Sequence, residues 1–115
     1  MMFRRTLLSS AAALVLLACL PARAAGFDWN GVWAGKNPKN GRVTIITIRE
    51  GRVISWSSDG EAAPIASASV TPEAVRIVHA EGAQVTMTPN RDGTATYLWK
   101  GRSGSAKHRL SRQPG

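Results

Sequence analysis

The chain has 115 residues, room for one small domain, and a single cysteine, Cys19, so no disulfide can form within it. Its 15 Lys and Arg stand against 7 Asp and Glu, a net charge of +8, with two histidines, His79 and His108. This inventory excludes cysteine-ligated metal centres and disulfide staples, and leaves hydrophobic burial and backbone pairing to hold the fold.

Residues 1–24 read as a secretory signal peptide. Arg4 and Arg5 make a basic start, "LLSSAAALVLLACL" (7–20) an apolar run, and Ala22-Arg23-Ala24 a small-residue cleavage site behind Pro21. The run is shorter than the ~20 residues of a membrane span. The expectation is export to the periplasm or the medium, with cleavage between Ala24 and Ala25 and one domain over 25–115. Two variants stay open. "RRTLL" (4–8) loosely fits a twin-arginine signal. "LLAC" (16–19) resembles a bacterial lipobox, in which Cys19 would be acylated and the domain held at a membrane surface. Cleavage at Ala24 removes Arg4, Arg5 and Arg23, which takes the 15 basic side chains to 12 against 7 acidic ones and leaves no thiol.

Beyond Ala25 the chain is punctuated by turn signals: "KNPKNG" (36–41), "EG" (50–51), "SSDGEAAP" (57–64), "TPEA" (71–74), "AEG" (80–82), "PNRDG" (89–93) and "GRSGS" (101–105). They cut it into eight short segments, most of which alternate. In "RVTIITIRE" (42–50), Val43 and Ile45 are in phase, then Ile46 and Ile48, which predicts a bulge that flips the face. "RVISWS" (52–57) places Ile54 with Trp56, and "AVRIVH" (74–79) places Val75 with Ile77. "AQVTMT" (83–88) aligns Ala83, Val85 and Met87. "TATYLWK" (94–100) aligns Ala95, Tyr97 and Trp99. Period-two alternation rich in Val, Ile, Thr and aromatics predicts half-buried strands. The fold expected is all-β, an antiparallel up-and-down meander of about eight strands. Closing the first strand onto the last would make a small β-barrel without free edges; the alternative is a two-sheet β-sandwich.

In "DWNGVWAG" (28–35), Gly31, Trp33 and Trp29 share a face if the segment is extended. Gly31-Val32-Trp33 resembles the G-x-W that opens the first strand of lipocalin- and avidin-like barrels, the calycin group. The resemblance implies that Gly31 permits a tight bend, that Trp33 plugs the closed end, and that a basic residue of the last strand packs on the indole. The last strand, "AKHRLSR" (106–112), offers Arg109 or Arg112. Leu110 is its obvious inward residue, and Arg112 and His108 are in phase with it. What carries over is architecture, not a ligand. The chain is also similar to small secreted β-proteins of Gram-negative bacteria.

Chemistry is sparse. The acids, Asp28, Glu50, Asp59, Glu61, Glu73, Glu81 and Asp92, fall in turns or at strand ends, and no two pair on one strand face. His79 and His108 read as strand-end residues without a neighbouring acid, not as metal ligands. No G-x-S-x-G, S-x-x-K, P-loop or dinucleotide glycine pattern occurs. The chain is therefore read as noncatalytic, with no cofactor and no metal. Three functions are expected in turn. The first is a monomeric carrier binding a small apolar or aromatic ligand through Trp56, Tyr97 and Trp99. The second is an envelope interaction protein, such as a protease or lysozyme inhibitor or accessory subunit, acting through "GKNPKNG" and "SSDGEAAP". The third is a surface binder of anionic glycan or lipid through Lys100, Arg102, Lys107 and Arg109. Nucleic acid is not an expected partner, and a membrane is one only if Cys19 is lipidated.

Overall fold

The computed structural model describes residues 26–114; the expected signal segment, its cleavage site and Cys19 lie outside them. The described residues are all-β. Nine strands follow in chain order: β1 (Gly31–Lys36), β2 (Val43–Arg49), β3 (Arg52–Ser58), β4 (Glu61–Ala62), β5 (Ile65–Val70), β6 (Val75–His79), β7 (Gln84–Pro89), β8 (Ala95–Gly101) and β9 (Gly104–Arg112). They form one antiparallel sheet in the order β4-β3-β2-β1-β9-β8-β7-β6-β5, curled into a half-barrel. Every connection is a local hairpin except that from β4 to β5, which crosses between the two edges of the sheet, while pairing of β1 with β9 brings the first and last strands together. One continuous sheet replaces the sandwich alternative.

The count is nine because of Pro64. A proline has no N–H to give a ladder, so strand pairing breaks there. On one side of the break β4 pairs with β3, and the Ala63 N–H donates to the Trp56 carbonyl at 2.8 Å. On the other side β5 pairs with β6, and the Pro64 carbonyl accepts from Ala80 N–H at 3.0 Å. The additional strand, β4, thus lies inside the stretch expected to be the turn "SSDGEAAP", and β5 follows Pro64. The expected closure without edges is only partial: β4 and β5 are the sheet's edges, joined by the chain itself, while β3 packs against β5 without a ladder.

The bulge lies in the strand next to the one expected. β2 alternates without interruption, with Thr44, Ile46 and Ile48 inward and Ile45 outward. Its partner β3 carries the irregularity: Thr47 faces Ser55, Ile48 faces Val53, and Ile54 is the extra residue. Ile54 is therefore turned out and 55% exposed while Trp56 is buried, against the shared face expected for them. Two isoleucines in succession were a clue to an irregular pair of strands, but not to which strand holds it.

Elsewhere the alternation lands as read. Val75, Ile77, Val85, Met87, Ala95, Tyr97 and Leu110 face the core with Trp33, Ile46 and Ile48. Burying an aliphatic side chain of this size stabilises by about 1.5–3 kcal/mol. Two hairpins turn on two residues: Glu50-Gly51 and Asp59-Gly60 all have positive φ, the mirror-image turn whose twist suits a hairpin. The expected long loop "SSDGEAAP" thus contracts, since Ser57 and Ser58 belong to β3 and Glu61 and Ala62 to β4.

Candidate functional site

The two ends of the curled sheet are built differently. At one end the chain enters through Phe27 and Trp29, which cover the fully buried Trp33. Ring centroids lie 4.6 Å apart for Phe27–Trp29 and 5.5 Å for Trp29–Trp33. Both indole N–H groups are satisfied: Trp33 Nε1 donates to the Trp29 carbonyl and Trp29 Nε1 to the Thr71 carbonyl, each at 2.8 Å. The Arg112 guanidinium lies 4.6 Å over the Trp33 ring. It also donates to the carbonyls of Asn30 and, at 2.6 Å, of Asp28. Gly31 makes this possible in two ways. Its φ of +136° is a conformation other residues rarely adopt, and a Cβ there would stand 3.2 Å from the Arg112 Cγ. Phe27, Trp29, Trp33 and Arg112 close this end.

The other end is open. Residues of the β1–β2, β6–β7 and β8–β9 turns, with Ser58 and Ala63, line the mouth of a cup with a volume of 1410 Å³. The register puts Trp56 of β3 opposite Ile46, Tyr97 of β8 opposite Met87 and His108, and Trp99 opposite Val85 and Ala106. Curling of the sheet brings all three aromatics to this one cavity. Trp99 leans across Gly101, where a Cβ would fall 2.4 Å from the indole; the glycine is the space in which the ring lies.

The floor of the cup is polar as well as aromatic. Trp56 is 4% exposed, and its indole N–H has no hydrogen-bond partner among the described residues. His108 is 9% exposed, packs on Tyr97 with ring centroids 4.8 Å apart, and has no partner at either nitrogen among those residues. Burial pushes the His108 imidazole below its usual pKa, toward the neutral form. The Tyr97 phenol is pushed by burial up to about 12, with Trp56 and Thr44 beside it acting the other way, although the indole makes no well-formed hydrogen bond there. His79 meets Trp56 edge-on at 5.6 Å, and its Nδ1 accepts from Glu81 N–H at 2.9 Å.

The expected residues therefore separate. Trp56, Tyr97 and Trp99 share the open cup, while Gly31, Trp33 and Arg112 meet at the closed end. The four cations expected to contact an anionic glycan or lipid come from β8, the β8–β9 turn and β9. Lys100 and Arg102 stand at the cup mouth. Lys107 and Arg109 lie along the outer face of β9, where Arg109 approaches Asp92 at 3.7 Å. His108 is not at a strand end but in the middle of β9, and both it and His79 line the cup. His108 could have been found from its phase with Leu110, and His79 from its phase with Val75 and Ile77. Thr44, buried on the inward face of β2, and Arg42 at the mouth were not singled out at all.

Among the described residues no group of three or more His, Cys, Asp or Glu is placed to hold a metal ion. The floor offers hydrogen-bonding groups and aromatic rings. The chain matches no known protein family, no curated protein and no solved structure.

Proposed function

We propose that the protein is an exported, noncatalytic cup that binds a small ligand with an aromatic or apolar body at its open end. The observation that carries this is the convergence of Trp56, Tyr97 and Trp99 on a single cavity from strands far apart in sequence. Ligand sites are typically concave and lined by apolar and aromatic side chains with a few placed polar groups.

The alternative, an envelope inhibitor or accessory subunit acting through its loops, has less to work with. "SSDGEAAP" is a two-residue turn between strands, and "GKNPKNG" is folded on itself, with Gly41 N–H on the Asn37 carbonyl at 2.8 Å.

The test is titration with phenylnaphthylamine, a neutral flat probe, read by tryptophan emission and energy transfer to the bound probe. Saturable binding is expected, with the response lost in Trp56→Ala or Trp99→Ala. An unchanged response in both variants would overturn the site.

A further inference from the structure

The mouth of the cup has a charge that the floor lacks. Arg42, Lys100 and Arg102 line it, and Glu81 is the one acidic side chain among the lining residues. Asp59 and Glu61 belong to the same end of the sheet but do not line the cavity. None of the three cations has a carboxylate within 4.0 Å among the described residues, where the single ion pair is Arg109–Asp92 on the outer face. Arg42 comes from the β1–β2 hairpin, Lys100 from the end of β8 and Arg102 from the β8–β9 turn; the order β2-β1-β9-β8 makes these two hairpins neighbours, so the three cations stand along one side of the opening.

Taking the proposed cup as the binding site, we infer that its ligand is an acid: a flat aromatic or apolar body on Trp56, Tyr97 and Trp99, with a carboxylate, sulfonate or phosphate held at the mouth by Arg42, Lys100 and Arg102.

The orientation follows from where charge can reside. At the floor an anion would lose its hydration beside Trp56, Tyr97 and His108, all buried. The imidazole of His108 is held in its neutral form there and supplies no compensating charge. At the mouth the same anion keeps part of its water and faces three exposed cations. The uncharged end of the ligand then goes in first. There it meets an indole N–H and an imidazole that have no other partner within the described residues, and a hydrogen-bonding substituent on that end would satisfy them. The body is sandwiched between ring faces on β3 and β8, which bind flat rings without a charge requirement. Selectivity between an acid and its neutral counterpart therefore belongs to the mouth alone.

The experiment compares two probes with nearly the same ring system: phenylnaphthylamine, which is neutral, and anilinonaphthalene sulfonate, which adds one anionic group. Each is titrated into the full protein at low and at high salt, and again into Arg42→Gln, Lys100→Gln and Arg102→Gln. Exposed pairs are individually weak, so each substitution should loosen the sulfonate about two- to fivefold and leave the neutral probe unchanged. The sulfonate should bind about tenfold tighter than the neutral probe at low salt, and high salt should erase most of that difference. Trp99→Ala should weaken both probes together, which ties the sulfonate to the cup rather than to the outer basic face of Lys107 and Arg109. Equal affinity for both probes, insensitive to the three substitutions, would overturn the acidic ligand while leaving the cup intact. Sulfonate binding lost on replacing Lys107 and Arg109 instead would place the anion outside the cup and overturn it as well. Failure of both probes to bind would overturn the cup and, with it, this inference.

Discussion

Arg112→Ala should be among the most destabilising changes on the surface of this protein. The side chain is exposed, so ordinary reasoning would expect a change within about 0.5 kcal/mol. Its contacts argue otherwise. The guanidinium stacks 4.6 Å over Trp33 and 5.8 Å from the Phe27 ring, an attraction of about 0.5–2 kcal/mol. It also donates to two main-chain carbonyls, Asn30 and Asp28, and a hydrogen bond from a charged group is worth about 1.5–3 kcal/mol where it is shielded. With solvent reaching the group, the low end applies and the contributions overlap, so the loss should be about 2–3 kcal/mol. At about 4–8 °C per kcal/mol for a domain this size, Tm should fall by roughly 10–20 °C. Urea unfolding and thermal melts of Arg112→Ala, Arg112→Lys and Arg109→Ala make the test. Lysine keeps the charge but neither the flat stacking surface nor the fork that reaches two carbonyls, so it should recover less than half of the loss. Arg109→Ala, which removes only an exposed approach to Asp92, should barely move Tm. An Arg112→Ala variant as mild as Arg109→Ala would refute the closed end as described.

Three further outcomes are expected. Gly35→Ala would place a Cβ 2.1 Å from the Arg109 carbonyl and 2.8 Å from Leu110 Cδ2, backbone against backbone at the β1–β9 join; a loss of about 3 kcal/mol or more should appear in urea unfolding, and a neutral result would mean the strands are not so close. Ile54→Thr should change stability by less than about 0.5 kcal/mol because the bulge turns Ile54 out; a loss of core size would restore it to the Trp56 face. Stability should fall between about pH 10 and about 12: the unfolded Tyr97 releases its proton near 10 while burial holds the folded one to about 12, so the unfolded state binds fewer protons across that window. The contribution is fully present below pH 10 and lost above 12, about 2–3 kcal/mol in all. Tyr97→Phe should lack that alkaline slope, and an identical slope in the variant would refute the assignment.

The strands were legible because turns and alternation are local. All seven turn signals separate strands of the structure, and the inward sets of β6 to β9 follow from period two alone. What local reading missed were matters of pairing. Whether the extra residue sits in β2 or β3 depends on which carbonyls meet across the ladder, and "RVTIITIRE" carries no mark of its partner. The short strand Glu61–Ala62 was hidden inside an expected turn, because its pairing with β3 is visible only once the partner strand is known. The site was half legible. Trp56, Tyr97 and Trp99 stood out by type, but Trp56 reaches the other two only through curling, which brings together positions some 40 residues apart. His108 was in phase with Leu110 in the sequence but was read as a strand-end residue, and the unpartnered state of its imidazole in the floor depends on neighbours from other strands.

The most direct measurement is the movement of the four indole N–H resonances as phenylnaphthylamine is added. Trp29 and Trp33 sit at the closed end with their N–H groups bonded to carbonyls, while Trp56 and Trp99 line the cup. The account predicts that the Trp56 and Trp99 signals shift together and saturably while those of Trp29 and Trp33 stay in place. A response at Trp29 and Trp33, or none at Trp56 and Trp99, would contradict it.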